Sequence, residues 1–208
     1  GVATHPLSYP GRADVAGPPR ETVSDLAAYV REYVLAQLGS LEAPHVVLGH
    51  SMGGAVALEY ALDAPTGLQA LVLVSTGARL RVHPSILAAL GPPEEDATPR
   101  SPADEDFVRS VEPSPLTPRA TALADWRAAD AFDRMARVHE IRTPTLILVG
   151  DADPLTPLKY ARFLHERIAG SSLVVLPGAG HSLPMEESAA VAQHVADFLA
   201  RLPHGGAP

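Results

Sequence analysis

A serine set between glycines, with a strand-like run before it and a helix-like run after it, restricts this chain more than any other feature. Gly49-His50-Ser51-Met52-Gly53-Gly54 follows the apolar stretch His45-Val46-Val47-Leu48 and leads into Ala55-Val56-Ala57-Leu58-Glu59-Tyr60. In that context G-x-S-x-G describes a sharp strand-to-helix turn. The turn holds the serine in a strained backbone conformation with its hydroxyl exposed above a sheet. Gly49 and Gly53 lack the Cβ atoms that would crowd so tight a turn, and Gly54 lets the helix sit close to its neighbours. Ser51 is therefore the candidate nucleophile. The bland alternative, a serine in an ordinary glycine-rich turn, is weighed by asking whether partners for it exist further along the chain.

Two such partners are present. Thr145-Leu146-Ile147-Leu148-Val149 reads as a fully buried strand and ends in Gly150-Asp151-Ala152-Asp153-Pro154, a turn sequence carrying two carboxylates. Ser172-Leu173-Val174-Val175-Leu176 reads as another buried strand and runs into Pro177-Gly178-Ala179-Gly180-His181. Serine, aspartate and histidine thus each fall just past the C-terminal end of a strand.

With these residues in place, the chain resembles the α/β-hydrolase fold family, and within it the esterase, lactonase and carbon–carbon-bond hydrolase group. The resemblance covers nearly the whole chain. It is carried by GHSMGG, by residues 143–157 and by residues 177–186, in the order Ser, Asp, His that this family uses. It implies a mostly parallel sheet with helices on both faces. In such proteins the acid is usually the last residue of a G-x-x-D pattern, which falls here on Asp153. Asp151 is the competing assignment, with an Asx-type loop-orienting role as its alternative. An Asp in the place of Ser51 would have pointed to haloalkane dehalogenase chemistry, which is disfavoured.

The chemistry follows from what each group does near neutral pH. A serine hydroxyl is a poor nucleophile until a base takes its proton, and an imidazole, here that of His181, titrates in the useful range. Asp153 is expected to accept the other imidazole N–H, fix the tautomer and stabilise the imidazolium. One oxyanion donor is expected from the backbone N–H of Met52, at the positive end of the helix that starts there. The resemblance implies a second donor from a His-Gly loop after an earlier strand, and no such strand and loop precede Gly49. Residues Val2–Arg12 resemble the family's next strand and its Pro-Gly loop, and Glu21–Leu38 has helical periodicity. The expectation is that the first strands, about 50 residues with their connections, are absent from this sequence. If the natural chain starts near Gly1, exposed sheet edges follow, and pairing of two copies into a homodimer is then the expected remedy.

Composition bounds the remaining classes. A chain of 208 residues buries a core large enough for one α/β domain without disulfide or metal, so residues 1–208 are read as a single domain. There are no cysteines, which excludes disulfides and thiolate metal sites. The net charge is −8 and the chain carries 16 basic residues with no basic stripe among them, so nucleic acid is not an expected partner. The longest apolar runs are strand-sized, short of a membrane span, and a cytoplasmic location is the default. A small-molecule substrate is expected, with no cofactor and no metal.

Leu68–Val74 reads as the next strand after the nucleophile helix. From Arg79 to Arg137 no strand run occurs, and eight prolines between Pro84 and Pro118 interrupt the helical segments. This insertion, 79–137, resembles the cap that these hydrolases place over the active site, built of two or three small helices. Substrate choice is assigned to the cap and to Tyr9, Leu155 and Leu183, which flank the expected mouth. Glu186–Leu202 reads as an amphipathic helix with Val191, Val195, Phe198 and Leu199 inward. His50 is read as structural, under the turn. His83, His139, His165 and His194 lack ligand spacing. Glu186 and Glu187 fit a helix start, where acidic side chains complement the dipole, and Asp104-Glu105-Asp106 fits a solvated helix start. The leading function is a serine hydrolase acting on a small ester, lactone or related activated carbonyl. The alternative is a non-catalytic binding or interaction protein on the same fold, lacking a complete oxyanion hole.

Overall fold

The computed structural model describes residues 3–12, 14–91 and 117–202. Four strands form one parallel sheet in the order β1-β2-β3-β4: β1 (His45–His50), β2 (Leu68–Val74), β3 (Thr145–Gly150) and β4 (Ser172–Leu176). Because side chains alternate across a strand, β2 and β3 serve two cores at once. Leu71, Leu73, Ile147 and Val149 face one side, and Val72, Val74, Leu146 and Leu148 face the other. Burial of each such side chain contributes about 1.5–3 kcal/mol.

The first side is covered by α1 (Val23–Leu38), α2 (Met52–Leu62) and α5 (Leu158–Arg167). Helix α1 begins where Thr22 Oγ1 accepts the N–H of Asp25 at 3.0 Å, two residues inside the expected start, and ends at Gly39 with φ 73°. The second side is covered by α6 (Leu183–Glu186) and α7 (Ser188–Ala200). The single terminal helix read from the sequence is thus two, broken at Glu187 (φ −128°, ψ 42°). Val191 is buried and Val195 and Phe198 pack on the same cluster.

Beside β1 the second side is bare. Val46 and Leu48 are 36% and 52% exposed, although Leu48 is in register with the fully buried Val72. Among the described residues β1 pairs on one edge only. The reading of Val2–Arg12 as a strand followed by its Pro-Gly loop is corrected in its strand part: residues 3–9 carry no strand, Val2 lies outside the described residues, and Arg12 makes a single bridge to Val15. Pro6 and Pro10 have no amide proton to give a ladder, which accounts for the failure.

Between β2 and β3 the chain leaves the sheet. Its two ends are pinned together where Arg79 bridges Asp133, Leu80 N–H reaches Phe132 O at 3.3 Å and Arg134 N–H reaches Ala78 O at 2.7 Å. The described part carries α3 (Pro84–Leu90) and α4 (Arg119–Ala131), the latter longer than the small helices expected. The Asp104-Glu105-Asp106 run lies outside the described residues. None of the described helices is long and apolar enough to cross a membrane.

Candidate active site

Ser51 ends the first strand connection with φ 53° and ψ −121°, a conformation costly for any residue with a side chain. Its neighbours hold it there. Its N–H donates to Val74 O at 2.9 Å, and its C=O accepts Thr76 Oγ1 at 2.8 Å and the Gly54 N–H at 2.9 Å. A Cβ on Gly49 would lie 2.1 Å from Gly53 O, and one on Gly54 would lie 2.5 Å from the Thr76 side chain. Both glycines are therefore required by close approach. Gly53 is not, since a Cβ there meets nothing within 4 Å. A serine at a helix N-cap ordinarily caps the first turn with its hydroxyl. Ser51 does not, and its Oγ lies 2.9 Å from His181 Nε2 instead.

Asp153 is held with equal care. Its side chain has no exposed surface, and Oδ1 accepts the N–H groups of Leu155 and Thr156, both at 2.8 Å. Oδ2 accepts Thr156 Oγ1 at 2.8 Å, and the two oxygens lie 3.0 and 2.9 Å from His181 Nδ1. Burial pushes this carboxyl up, but the bonds from His181 and Thr156 together bring it below the ordinary carboxylate range. An ionised Asp153 can only accept, so Nδ1 of His181 carries the proton and Nε2 presents a lone pair to the Ser51 hydroxyl. Asp151 is exposed and accepts the Gly178 N–H at 2.7 Å, which ties the β3 turn to the histidine loop.

Thr156 was not marked in the sequence. Its signal is there all the same: Asp153-Pro154-Leu155-Thr156 has the spacing of an aspartate that closes a turn on a following amide and hydroxyl. His50 lies beside His181 with ring centroids 5.1 Å apart, and its Nε2–H donates to His181 O at 2.8 Å. Burial lowers its pKa, so it stays neutral while it holds the loop.

The chain as a whole is similar to known proteins. The Alpha/beta hydrolase family matches residues 1–194. The chain belongs to that family. The pimeloyl-acyl-carrier-protein methyl ester esterase of Neisseria meningitidis serogroup B is 30% identical to it over 223 aligned positions, spanning 95% of this chain and 83% of the relative. A solved thermophilic esterase is 33% identical with a TM-score of 0.70, over 90% of this chain and 76% of its own. The enol-lactonase from Burkholderia xenovorans is 24% identical with a TM-score of 0.73, over 93% of this chain and 79% of its own, a likeness of fold. The protein is an α/β-fold hydrolase.

In this hydrolase the serine opens onto a cavity of about 310 Å³. Its floor is His50, Ser51, Met52 and Gly53, and its walls include Leu80, Val82, Ile86, Ala122, Trp126, Ala129 and Leu155. Asp125 also faces the cavity, paired with Arg12 at 2.5 Å, and burial raises its carboxyl pKa. Of the three residues expected at the mouth, Leu155 lines the cavity and the other two do not. Tyr9 stands behind the wall, tilted against Tyr29 at 6.3 Å and under the Arg12 guanidinium at 5.3 Å. Leu183 is fully buried with Val72, Val74 and Val191 on the far side of the sheet, because it opens α6 with its side chain turned to the core. Met52 lines the cavity as the first residue of α2, where no carbonyl of the helix reaches its N–H. Among the described residues no cluster of three or more histidines, cysteines or carboxylates could hold a metal.

Proposed function

We propose that this hydrolase cleaves small carboxylic esters, or closely related lactones and activated carbonyls, through an acyl-enzyme on Ser51. The observation that carries the reading is the unbroken chain Ser51 Oγ, His181 Nε2, His181 Nδ1, Asp153, with each link at 2.9–3.0 Å beside an apolar cavity. The Ser51 hydroxyl gives its proton to His181 Nε2 as Oγ bonds to the carbonyl carbon. Charge then develops on the carbonyl oxygen, where the Met52 N–H and the N-terminal end of α2 act as donors. His181 returns the proton to the departing alcohol, and Asp153 steadies the imidazolium in between. A water, deprotonated by the same nitrogen, attacks the acyl carbon, and His181 returns that proton to Ser51 Oγ as the C–Oγ bond breaks and the acid leaves.

Two relatives support the ester class: a methyl ester esterase and a thermophilic esterase are both at least 30% identical to this chain. The cavity stands at the lower end of the usual range for ligand pockets and is mainly apolar, which favours a compact, uncharged substrate. Neither a metal nor an organic cofactor has a part in this scheme. The test is turnover of p-nitrophenyl esters from acetate to octanoate by the wild type and by His181→Ala. Hydrolysis that peaks within the shorter chains and is lost in the variant is expected. A folded wild type with no turnover above buffer would leave the non-catalytic reading standing.

A further inference from the structure

The histidine loop is gripped from outside by a side chain that the reaction does not use. Glu186, the last residue of α6, folds its carboxylate back over the loop, where Oε2 accepts the Gly180 N–H at 2.5 Å and Oε1 accepts the Ser182 N–H at 3.1 Å. These are the amides on either side of His181. The grip is close: a Cβ on Gly180 would lie 3.0 and 3.1 Å from the two carboxylate oxygens. The Glu186 N–H in turn donates to Ser182 O at 3.0 Å, closing a reciprocal ring. From inside, His50 Nε2–H donates to the carbonyl of His181 itself at 2.8 Å. The N–H of 180, the C=O of 181 and the N–H of 182 therefore each have a side-chain partner, two of them in one carboxylate.

We propose that Glu186 is a positioning residue for His181. It fixes the backbone on both sides of the histidine so that Nε2 stays within hydrogen-bond reach of Ser51 through both halves of the reaction. The proposal rests on the Ser51–His181–Asp153 reading above. Charge-assisted bonds to backbone N–H groups are about twice as strong as neutral ones, and a displacement of about 1 Å at a reacting group costs up to about 100-fold in rate. Glu186 is exposed, so water replaces part of what its removal takes away, and the effect is smaller than that limit. A Glu186 that only started the helix would act on stability and leave turnover per folded molecule unchanged.

The experiment is steady-state hydrolysis of a p-nitrophenyl ester by wild type, Glu186→Ala, Glu186→Gln and Ser51→Ala, with thermal melting of each. Glu186→Ala is expected to lose about tenfold in kcat with KM within about twofold, and Glu186→Gln, which keeps one acceptor oxygen, to lie between it and the wild type. A kcat within about twofold of wild type in Glu186→Ala overturns the proposal. So does a loss of turnover that tracks loss of folded protein in both Glu186 variants, which assigns a stabilising role alone. If Glu186→Ala does not fold, Glu186→Gln decides by the same criteria. Turnover surviving in Ser51→Ala would instead sink the reading beneath, whatever the Glu186 variants do.

Discussion

The strand-end turns and the wall opposite them are built by different means. Ser51, Asp153 and His181 sit where β1, β3 and β4 end, and each turn is fixed by hydrogen bonds to a neighbouring strand or turn. The wall comes from α3, α4 and the residues leading into them, which leave the sheet at Ala78 and return at Arg134. It faces the serine mostly with apolar side chains. The turns are specified by backbone geometry, where a shift of one atom is costly; the wall is specified by volume, which tolerates substitution. On the proposed function, chemistry is tied to the sheet and selectivity to the inserted segment.

That contrast breaks if a change at a turn proves mild or a change in the wall proves fatal. The largest effect is expected from Asp153→Asn, which removes the charge that fixes the His181 tautomer. A fall in kcat of about 10⁴-fold is expected, measured with a p-nitrophenyl ester, and a fall under about tenfold would detach Asp153 from the chemistry. Next comes Gly49→Ala, whose new Cβ would sit 2.1 Å from Gly53 O. Backbone has to move, and a loss of about 3 kcal/mol in denaturant unfolding is expected, together with most of the activity.

Trp126→Ala tests the wall. It enlarges the cavity without touching the turns, so preference should shift toward longer acyl chains by about tenfold in kcat/KM, with kcat for the shortest ester little changed. Equal loss on every ester would show that the wall takes part in the chemistry. The smallest effect lies behind the wall, at Tyr9, whose pKa is pushed from 10.0 to about 12 chiefly by burial. Between those values the unfolded chain ionises while the folded one keeps its proton, so folding stability falls as pH rises. Tyr9→Phe should flatten that fall in melts between pH 9 and 11, and an unchanged slope would place the Tyr9 hydroxyl in solvent.

The strands and the turns that end them were legible because buried parallel strands are continuous apolar runs, closed here by Gly, Pro and Asp. Leu68–Val74 and Ser172–Leu176 were read to the residue. Asp153 and Asp151 took the two places read for them as alternatives, one against His181 and the other under Gly178. What failed was direction. Leu183 and Tyr9 are near the site in sequence or in the family pattern, but nothing local says to which side of a loop a side chain turns. Residues 3–9 resemble the family's strand, yet Pro6 and the following Pro10 have no amide proton to give a ladder. Glu186 was read as a helix start because its contacts with Gly180 and Ser182 depend on how a loop folds back, which periodicity does not encode. Thr156 was missed although the turn spacing with Asp153 announced it.

The central claim is that Ser51 is an activated nucleophile. Intact-mass spectrometry before and after treatment with a fluorophosphonate, on wild type and Ser51→Ala, tests it most directly. One adduct on the wild type and none on the variant is the expected result. A folded wild type that takes no adduct, or a variant that still takes one, would contradict it.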